Sequence, residues 1–250
     1  MQHPVIRLSD ANCADPPALP ATIARTNGIS RSTVPIKAVG IEPENIYSYR
    51  EYPAPQNCGW SNRLREILPT YGQIGIEPTV RREITDELRD YSMQTVSLVE
   101  QLRLVKSQAE IEMIRRAAKY ADFGVERLIG SSYFGSSIAG GFAQTRSVSA
   151  KIIREVEDWD ALTTKVLMAT WGAPRSAMPH SVPMLQERLE VGPHVALVLT
   201  RVNGYSAESE RTYFTAPPSA KAKSAFKAMM EARRLAIAMI RPGVSCSELV

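Results

Sequence analysis

Apolar residues recur at two spacings along the chain, and these spacings predict alternating helices and strands. Helical spacing, with apolar residues three and four positions apart, covers residues 60–68, 79–91, 107–130, 142–157 and 217–241. Extended runs with β-branched residues cover 73–77, 95–99, 164–170, 194–202 and 210–215. Residues 1–59 show little periodicity apart from an apolar run at 34–39. The pattern predicts an α/β chain whose regular part begins near Trp60.

Local motifs mark where several of these elements begin and end. Ser107 and Glu110 have the S-x-x-E spacing of a capping box, which predicts the start of the helix that ends at Gly130. Ser245 and Glu248 have the same spacing and predict another helix start. Small side chains over residues 131–141 predict a loop, and the pair at 203–204, Asn-Gly, predicts the turn of a β-hairpin. We therefore expect two domains, residues 1–105 and 106–250.

Composition narrows the class of protein. At 250 residues with 44% hydrophobic content, the chain can bury a sizeable core. Lys and Arg number 30 against 26 Asp and Glu, but the basic residues have acidic neighbours, which favours a solvated mixed-charge surface over nucleic-acid binding. The three cysteines are far apart and lack metal-site spacing, which favours a reducing compartment. No signal peptide or membrane span is apparent, so we expect a cytoplasmic protein without a membrane partner.

Two groups of residues are candidates for chemistry. His180 lies in a predicted loop between two strands, and an imidazole that titrates near neutral pH suits general acid/base catalysis. A lone loop histidine is also common on protein surfaces, so this alternative stays open. Glu208 and Glu210 lie two apart on an extended run and so share one face, where a cation, a metal ion or a cationic substrate between them would offset their repulsion. Arg211 points to the opposite face, and a solvent-exposed acidic face is the alternative.

The order of four motifs resembles the creatinase, prolidase and methionine aminopeptidase superfamily, which has the pita-bread fold. The motifs are LRLVKSQAEI at 102–111, PH at 179–180, GYSAESERT at 204–212 and IRPG at 240–243. The resemblance implies a reduced N-terminal α/β domain over residues 1–105, followed by the first half of a pita-bread domain with a curved antiparallel sheet. It also implies a homodimer or a complementing C-terminal half, because further active-site residues of the family lie beyond these motifs.

The same resemblance implies roles for individual residues. The metallopeptidase members carry two aspartate metal ligands in the hairpin, and the corresponding positions here are Glu208 and either Leu197 or Val198. An aliphatic side chain does not coordinate a divalent cation, so we expect no metal and no other cofactor. The metal-free creatinase branch is more similar, since its turn also ends in Glu-Arg-Thr. By that similarity His180 is the acid/base and Glu210 holds a cationic group of the substrate, with Glu208, Tyr205 and Arg211 as further substrate contacts.

Three functions follow as hypotheses. The first is a metal-independent, creatinase-like hydrolase of a C–N bond in a small cationic or amide substrate. The second is an Xaa-Pro aminopeptidase-like metallopeptidase, which the aliphatic residues at Leu197 and Val198 disfavour. The third is a catalytically inactive subunit that keeps the scaffold and binds a partner. Loss of activity in His180→Ala would separate the enzymes from the inactive subunit.

Overall fold

The computed structural model describes residues 5–6, 22–23, 46–47, 49, 56–57, 59–68, 72–178 and 180–249. The chain divides into two compact units, Met1–Val105 and Lys106–Val250. The apolar run predicted at 34–39 lies outside the described residues, as do Cys13, Cys58 and Pro179. Among the helices that are described, none is both long and apolar enough to cross a bilayer.

The first unit contains a small parallel β-α-β arrangement. The elements of this unit are β1 (Val5–Ile6), β2 (Thr22–Ile23), β3 (Ile46–Tyr47), α1 (Trp60–Ile67), β4 (Gln73–Ile76), α2 (Arg82–Glu87), β5 (Ser92–Thr95) and α3 (Leu98–Leu104), and the β-α-β arrangement consists of β4, α2 and β5. Strand β1 pairs antiparallel with β2 and parallel with β3. Strands β4 and β5 pair in parallel from Gln73 opposite Ser92 to Ile76 opposite Thr95. Helix α2 makes the crossover that a parallel pair requires.

Two predicted boundaries in this unit are wrong. The strand predicted at 95–99 lies at Ser92–Thr95, and α3 follows it. The pairing with β4 sets the position of β5, because β4 is only four residues long. The last hydrogen bond between the two strands runs from the Val96 amide to the Ile76 carbonyl, at 2.9 Å. The helix predicted at 79–91 is confined to Arg82–Glu87.

The second unit combines helices with a three-stranded antiparallel sheet. Its elements are α4 (Gln108–Gly130), α5 (Ile138–Phe142), α6 (Thr145–Glu155), β6 (Lys165–Trp171), β7 (His194–Val202), β8 (Tyr205–Tyr213) and α7 (Ala220–Met239). The strand order is β6-β7-β8, and the turn between β7 and β8 is the predicted Asn203-Gly204 pair. Both turn residues have positive φ, which Asn and Gly adopt most readily. The predicted α/β class and hairpin are confirmed.

The capping box at Ser107 is confirmed, whereas the one at Ser245 is wrong. The Glu110 amide donates to Ser107 Oγ at 3.3 Å, and the Ser107 amide donates to Glu110 Oε2 at 2.7 Å. At Ser245 no side-chain cap forms, and only a 3₁₀ turn at Cys246–Glu248 follows.

The loop predicted at 131–141 ends earlier than expected, because α5 begins at Ile138. The Ile138 side chain is buried, and its amide donates to the Glu187 carbonyl at 3.0 Å. This long-range contact holds the first turn of α5 although two of its five residues are glycines. The helix predicted at 142–157 is separate from α5 and spans Thr145–Glu155.

Helix α4 covers one face of β7 and β8 and forms the core there. The buried side chains of this core include Tyr120, Leu128, Val148, Ile152, Val198 and Val202. Gly124 permits the close approach, since a Cβ at this position would lie 2.6 Å from Val198 Cγ1. Two buried hydroxyls on this face are bonded: Thr200 Oγ1 donates to the Ala117 carbonyl, and Ser209 Oγ donates to Asp122 Oδ1, both at 2.7 Å. The opposite face of the sheet is not covered by α4.

Candidate functional site

The sheet face opposite α4, which we call the open face, carries both predicted carboxylates beside leucines. In an antiparallel pair, residues directly opposite each other point to the same side. Leu197 lies opposite Glu210, and Leu199 lies opposite Glu208. On the other edge of β7, Leu199 lies opposite Leu167, whose side chain is about half exposed. The open face therefore combines an apolar strip with two exposed carboxylates along one edge.

Glu208 and Glu210 are brought together as their spacing predicts. Both belong to β8 and lie two residues apart, which places their Cα atoms about 7 Å from each other along the strand. The residue between them, Ser209, is buried against α4. The two carboxylates lie next to leucine side chains, and the same face carries Arg201, whose Nε donates to Ser206 Oγ at 3.1 Å.

Tyr205 and Arg211 are placed on the helix-covered face, away from the two carboxylates. The Tyr205 hydroxyl donates to Glu110 Oε1 at 3.3 Å, near the start of α4. Arg211 Nη2 lies 3.8 Å from Asp122 Oδ1, further along the same helix. Hydrogen bonds from the Ser107 amide and hydroxyl, and a further one from Tyr205, lower the pKa of Glu110. The contacts described here connect β8 to α4, and substrate contacts by Tyr205 and Arg211 stay predictions.

His180 lies in the connection between β6 and β7, and its neighbour is bonded to the open face. His180 is exposed and adopts a left-handed backbone conformation with φ of 58°. Trp171 Nε1 donates to the carbonyl oxygen of Ser181 at 2.5 Å. Trp171 alternates with the buried Thr170 and lies opposite Val195, so its ring is on the same side of the sheet as Leu197 and Glu210. The bond therefore holds the His180 turn beside the open face.

His194 is a residue that the sequence interpretation missed. It is fully buried at the start of β7, and its ring lies 5.2 Å from the ring of Tyr213. Its Nδ1 accepts from the Ala173 amide at 3.1 Å, and its Nε2 lies 2.8 Å from the Glu190 carbonyl. This pairing assigns the proton to Nε2. His194 thereby joins both ends of the connection that carries His180. The sequence signal for its burial is its position in the strand 194–202, where every second residue is buried.

The residues described here do not make a metal-binding set on their own. Of the two positions considered for the first ligand, Val198 is buried against α4, whereas Leu197 lies on the open face with Glu208 and Glu210. Leu197 has no donor atom for a cation. Within the described ranges, no group of three or more His, Cys, Asp or Glu side chains is arranged to hold a metal ion.

Comparisons with known proteins bear on the fold and on the family. Residues 112–250 match the model of Metallopeptidase family M24. The chain is 26% identical over 196 residues to an Xaa-Pro dipeptidase of Pyrococcus furiosus, covering 75% of the chain and 53% of that relative. The structure is similar to a prolidase from Pyrococcus furiosus, with a TM-score of 0.62, 22% identity, and coverage of 82% and 57% of the two chains.

A second solved structure gives the same result. An X-Pro aminopeptidase from Thermotoga maritima has a TM-score of 0.61 and 19% identity, and the match covers 88% of this chain and 60% of that one. These likenesses confirm the predicted pita-bread fold. The chain spans about half the length of the curated relatives it matches.

Proposed function

Because the chain belongs to metallopeptidase family M24, we propose that it supplies part of the active site of a hydrolase that cleaves an amide C–N bond. The observation that supports this proposal is the open face, where Glu208 and Glu210 lie beside leucines and the His180 turn is bonded through Ser181. The relatives are Xaa-Pro peptidases by name, so Xaa-Pro dipeptides are the first substrates to test. The comparisons thus favour the peptidase hypothesis over the creatinase-like one and do not support metal independence.

In the proposed reaction His180 moves one proton. Its imidazole accepts a proton from the water that attacks the amide carbon and then donates it to the leaving nitrogen as the C–N bond breaks. His180 is suited to this role because it is exposed on a turn between two strands of a rigid sheet. The proton balance closes, since the water supplies both the hydroxyl group of the acid product and the proton of the amine.

Glu208 and Glu210 would bind the positive end of the substrate. A dipeptide carries a free α-ammonium group, and charge-assisted bonds from this group to carboxylates are stronger than neutral hydrogen bonds. Leu197 and Leu199 would contact an apolar side chain next to that ammonium, because each lies opposite one of the two glutamates. The family name implies a metal, but Leu197 does not fit one, so no step is assigned to a metal here.

One observation favours a second function. Of the two positions where the metallopeptidases carry aspartate ligands, Glu208 and Leu197 share the open face, but Leu197 has no donor atom for a metal ion. This arrangement fits a creatinase-like hydrolase that holds a cationic, non-peptide substrate by Glu210 alone. An inactive binding subunit is the third possibility, and it would retain ligand binding without turnover.

The test is a hydrolysis assay on the purified protein with Xaa-Pro dipeptides and with a small guanidinium amide, each with a chelator and with added divalent metal. We expect His180→Ala to lower kcat by about 10²- to 10⁴-fold. We expect Glu210→Gln mainly to raise KM, whereas Glu157→Gln, at an exposed position outside the sheet, serves as the matched control.

The outcomes separate the hypotheses. Turnover that is unaffected by His180→Ala would contradict the proposed role of the imidazole. Metal-dependent turnover of dipeptides supports the peptidase, and chelator-resistant turnover of the guanidinium amide supports the creatinase-like enzyme. Ligand binding without turnover supports the inactive subunit. The homodimer or complementing polypeptide stays a proposal, which light scattering on the purified protein would test.

A further inference from the structure

We propose that Trp171 is a positioning residue that holds His180 beside the open face through its bond to the Ser181 carbonyl. The catalytic consequence of this role rests on the proposed function, but the positioning itself does not. Trp171 is the last residue of β6, where it lies opposite Val195 in the register of the sheet. It is therefore held by the sheet, while the turn that it contacts belongs to the connection between strands.

The bond from Trp171 is distinct from the other contacts of this connection. His194 joins residues 173 and 190, near its two ends. Ser176 Oγ donates to the Pro193 carbonyl at 2.6 Å, and Arg175 Nε donates to Glu187 Oε1 at 2.8 Å. These contacts join parts of the connection to each other or to the first residue of β7. Further along, the Leu185 and Glu187 carbonyls accept from the Ala139 and Ile138 amides, each at 3.0 Å. None of them reaches the His180 turn.

Residues 180–183 have one recorded hydrogen bond to a described residue outside the connection, and this is the bond from Trp171. Inside the connection, the Ser181 amide donates to the Met178 carbonyl at 3.3 Å, which is long for a hydrogen bond. His180 also adopts a left-handed conformation, which is uncommon for a non-glycine residue although His is among the types that adopt it more often.

The Ser181 side chain does not share this role. Its Oγ is buried and has no hydrogen-bond partner among the described residues, so the backbone carbonyl alone makes the contact. Replacement of Ser181 by alanine therefore leaves the Trp171 bond in place. This makes Ser181→Ala a control that alters the same residue without altering the proposed interaction.

A general acid/base must lie within hydrogen-bond reach of the proton it transfers, and small displacements of a catalytic group reduce the rate strongly. Without the indole N–H, the His180 turn would sample positions away from the open face. We therefore expect kcat to fall about tenfold in Trp171→Phe, with KM changed less than twofold.

The experiment compares four variants with the unaltered protein by amide hydrogen exchange. Within residues 178–185 the amides of Met178 and Ser181 donate hydrogen bonds, to the Arg175 and Met178 carbonyls, and in Trp171→Phe these two amides should exchange roughly tenfold faster as the turn opens locally. Trp159→Phe and Ser181→Ala should leave this segment unchanged. Trp159 is the matched control because it lies in the loop before β6 and is partly exposed. Benzothienylalanine at position 171 removes only the N–H donor and covers the case in which the phenylalanine variant folds poorly.

The result decides the two proposals separately. Unchanged exchange over 178–185 in both position-171 variants would overturn the positioning role, whatever the activity. Faster exchange together with a lower kcat supports the full proposal. Faster exchange with unchanged kcat overturns the catalytic consequence and counts against His180 as the acid/base. If the unaltered protein hydrolyses no substrate, even with any copurifying polypeptide present, the proposed function fails while the exchange data still decide the positioning.

Discussion

Helices α4 and α7 are similar in length and in how they begin, yet they differ in how they are packed. Helix α4 has 23 residues and begins at the Ser107 capping box, and α7 has 20 residues and begins at Ser219, whose Oγ accepts from the Ala222 amide at 3.2 Å. Six residues of α4 are buried, whereas no residue of α7 is. Capping and helix propensity therefore account for both helices, but neither decides which helix joins a core.

The difference lies in the element that each helix meets. Helix α4 crosses β7 and β8, and Gly124 lets its backbone approach Val198 closely. Helix α7 instead leaves large apolar side chains in contact with solvent in this chain, among them Phe226, Met230, Leu235, Ile237 and Met239. Most of the stability of a helix in a protein comes from packing of its apolar face, so substitutions in the two helices should have unequal effects.

The largest difference is expected for matched leucine truncations. Leu128→Ala in α4 should lower the free energy of unfolding by about 2–5 kcal/mol, because Leu128 is 0% exposed and its loss leaves a cavity. Leu235→Ala in α7 should change it by no more than about 0.5 kcal/mol, since that side chain is 50% exposed. Urea denaturation of both variants measures the difference, and equal losses would show that α7 is packed in solution.

Smaller changes in stability, of opposite sign, are expected when two glycines of α4 are replaced by alanine. Gly124→Ala gains about 1 kcal/mol in helix propensity but forces a Cβ against Val198, an overpacking that costs about 1–3 kcal/mol. We expect a net loss of stability of about 1 kcal/mol. Gly130→Ala has open space around the added Cβ and should be neutral or stabilising. A thermal melt of the two variants checks this, and a stabilising Gly124→Ala would contradict the close approach of helix and sheet.

The smallest expected effect is on the pH dependence of stability, through two exposed glutamates. Hydrogen bonds from Lys151 and Lys119 lower the pKa of Glu155 from 4.5 to about 2, and the Lys119 bond joins α6 to α4. In α7, Arg234 of the same helix lowers the pKa of Glu231. Because the folded pKa of Glu155 is depressed, its contribution is present above pH 4.5 and is lost as the pH falls towards 2.

The matched variants for this prediction are Glu155→Gln and Glu231→Gln. We expect Glu155→Gln to make stability fall less steeply between pH 4.5 and 2. Glu231→Gln should change this fall less, because Arg234, the partner of Glu231, lies within one turn of the same helix. Urea midpoints at pH 6 and pH 3 measure both slopes. Identical slopes in the unaltered protein and in Glu155→Gln would argue against the ion-pair contacts between α6 and α4.

Features with a local cause could be predicted from the sequence. The start of α4 depends on two side chains three residues apart, and the hairpin turn depends on two adjacent residues that tolerate positive φ. The shared face of Glu208 and Glu210 follows from strand alternation alone. The wrong boundaries have a common origin, because β5 takes its position from β4, and α5 is held by Glu187, about fifty residues further along the chain.

The sequence by itself determined the order of most helices and strands from α1 onward, apart from α3 and α5, and the shared face of Glu208 and Glu210, because capping, turns and side-chain alternation act over a few positions. Only the tertiary structure decided that Leu197 faces Glu210, that Tyr205 and Arg211 contact α4, and that His194 joins both ends of the connection carrying His180. These relations depend on sheet register and on contacts between residues far apart in the chain. Short-range patterns carry no information about either.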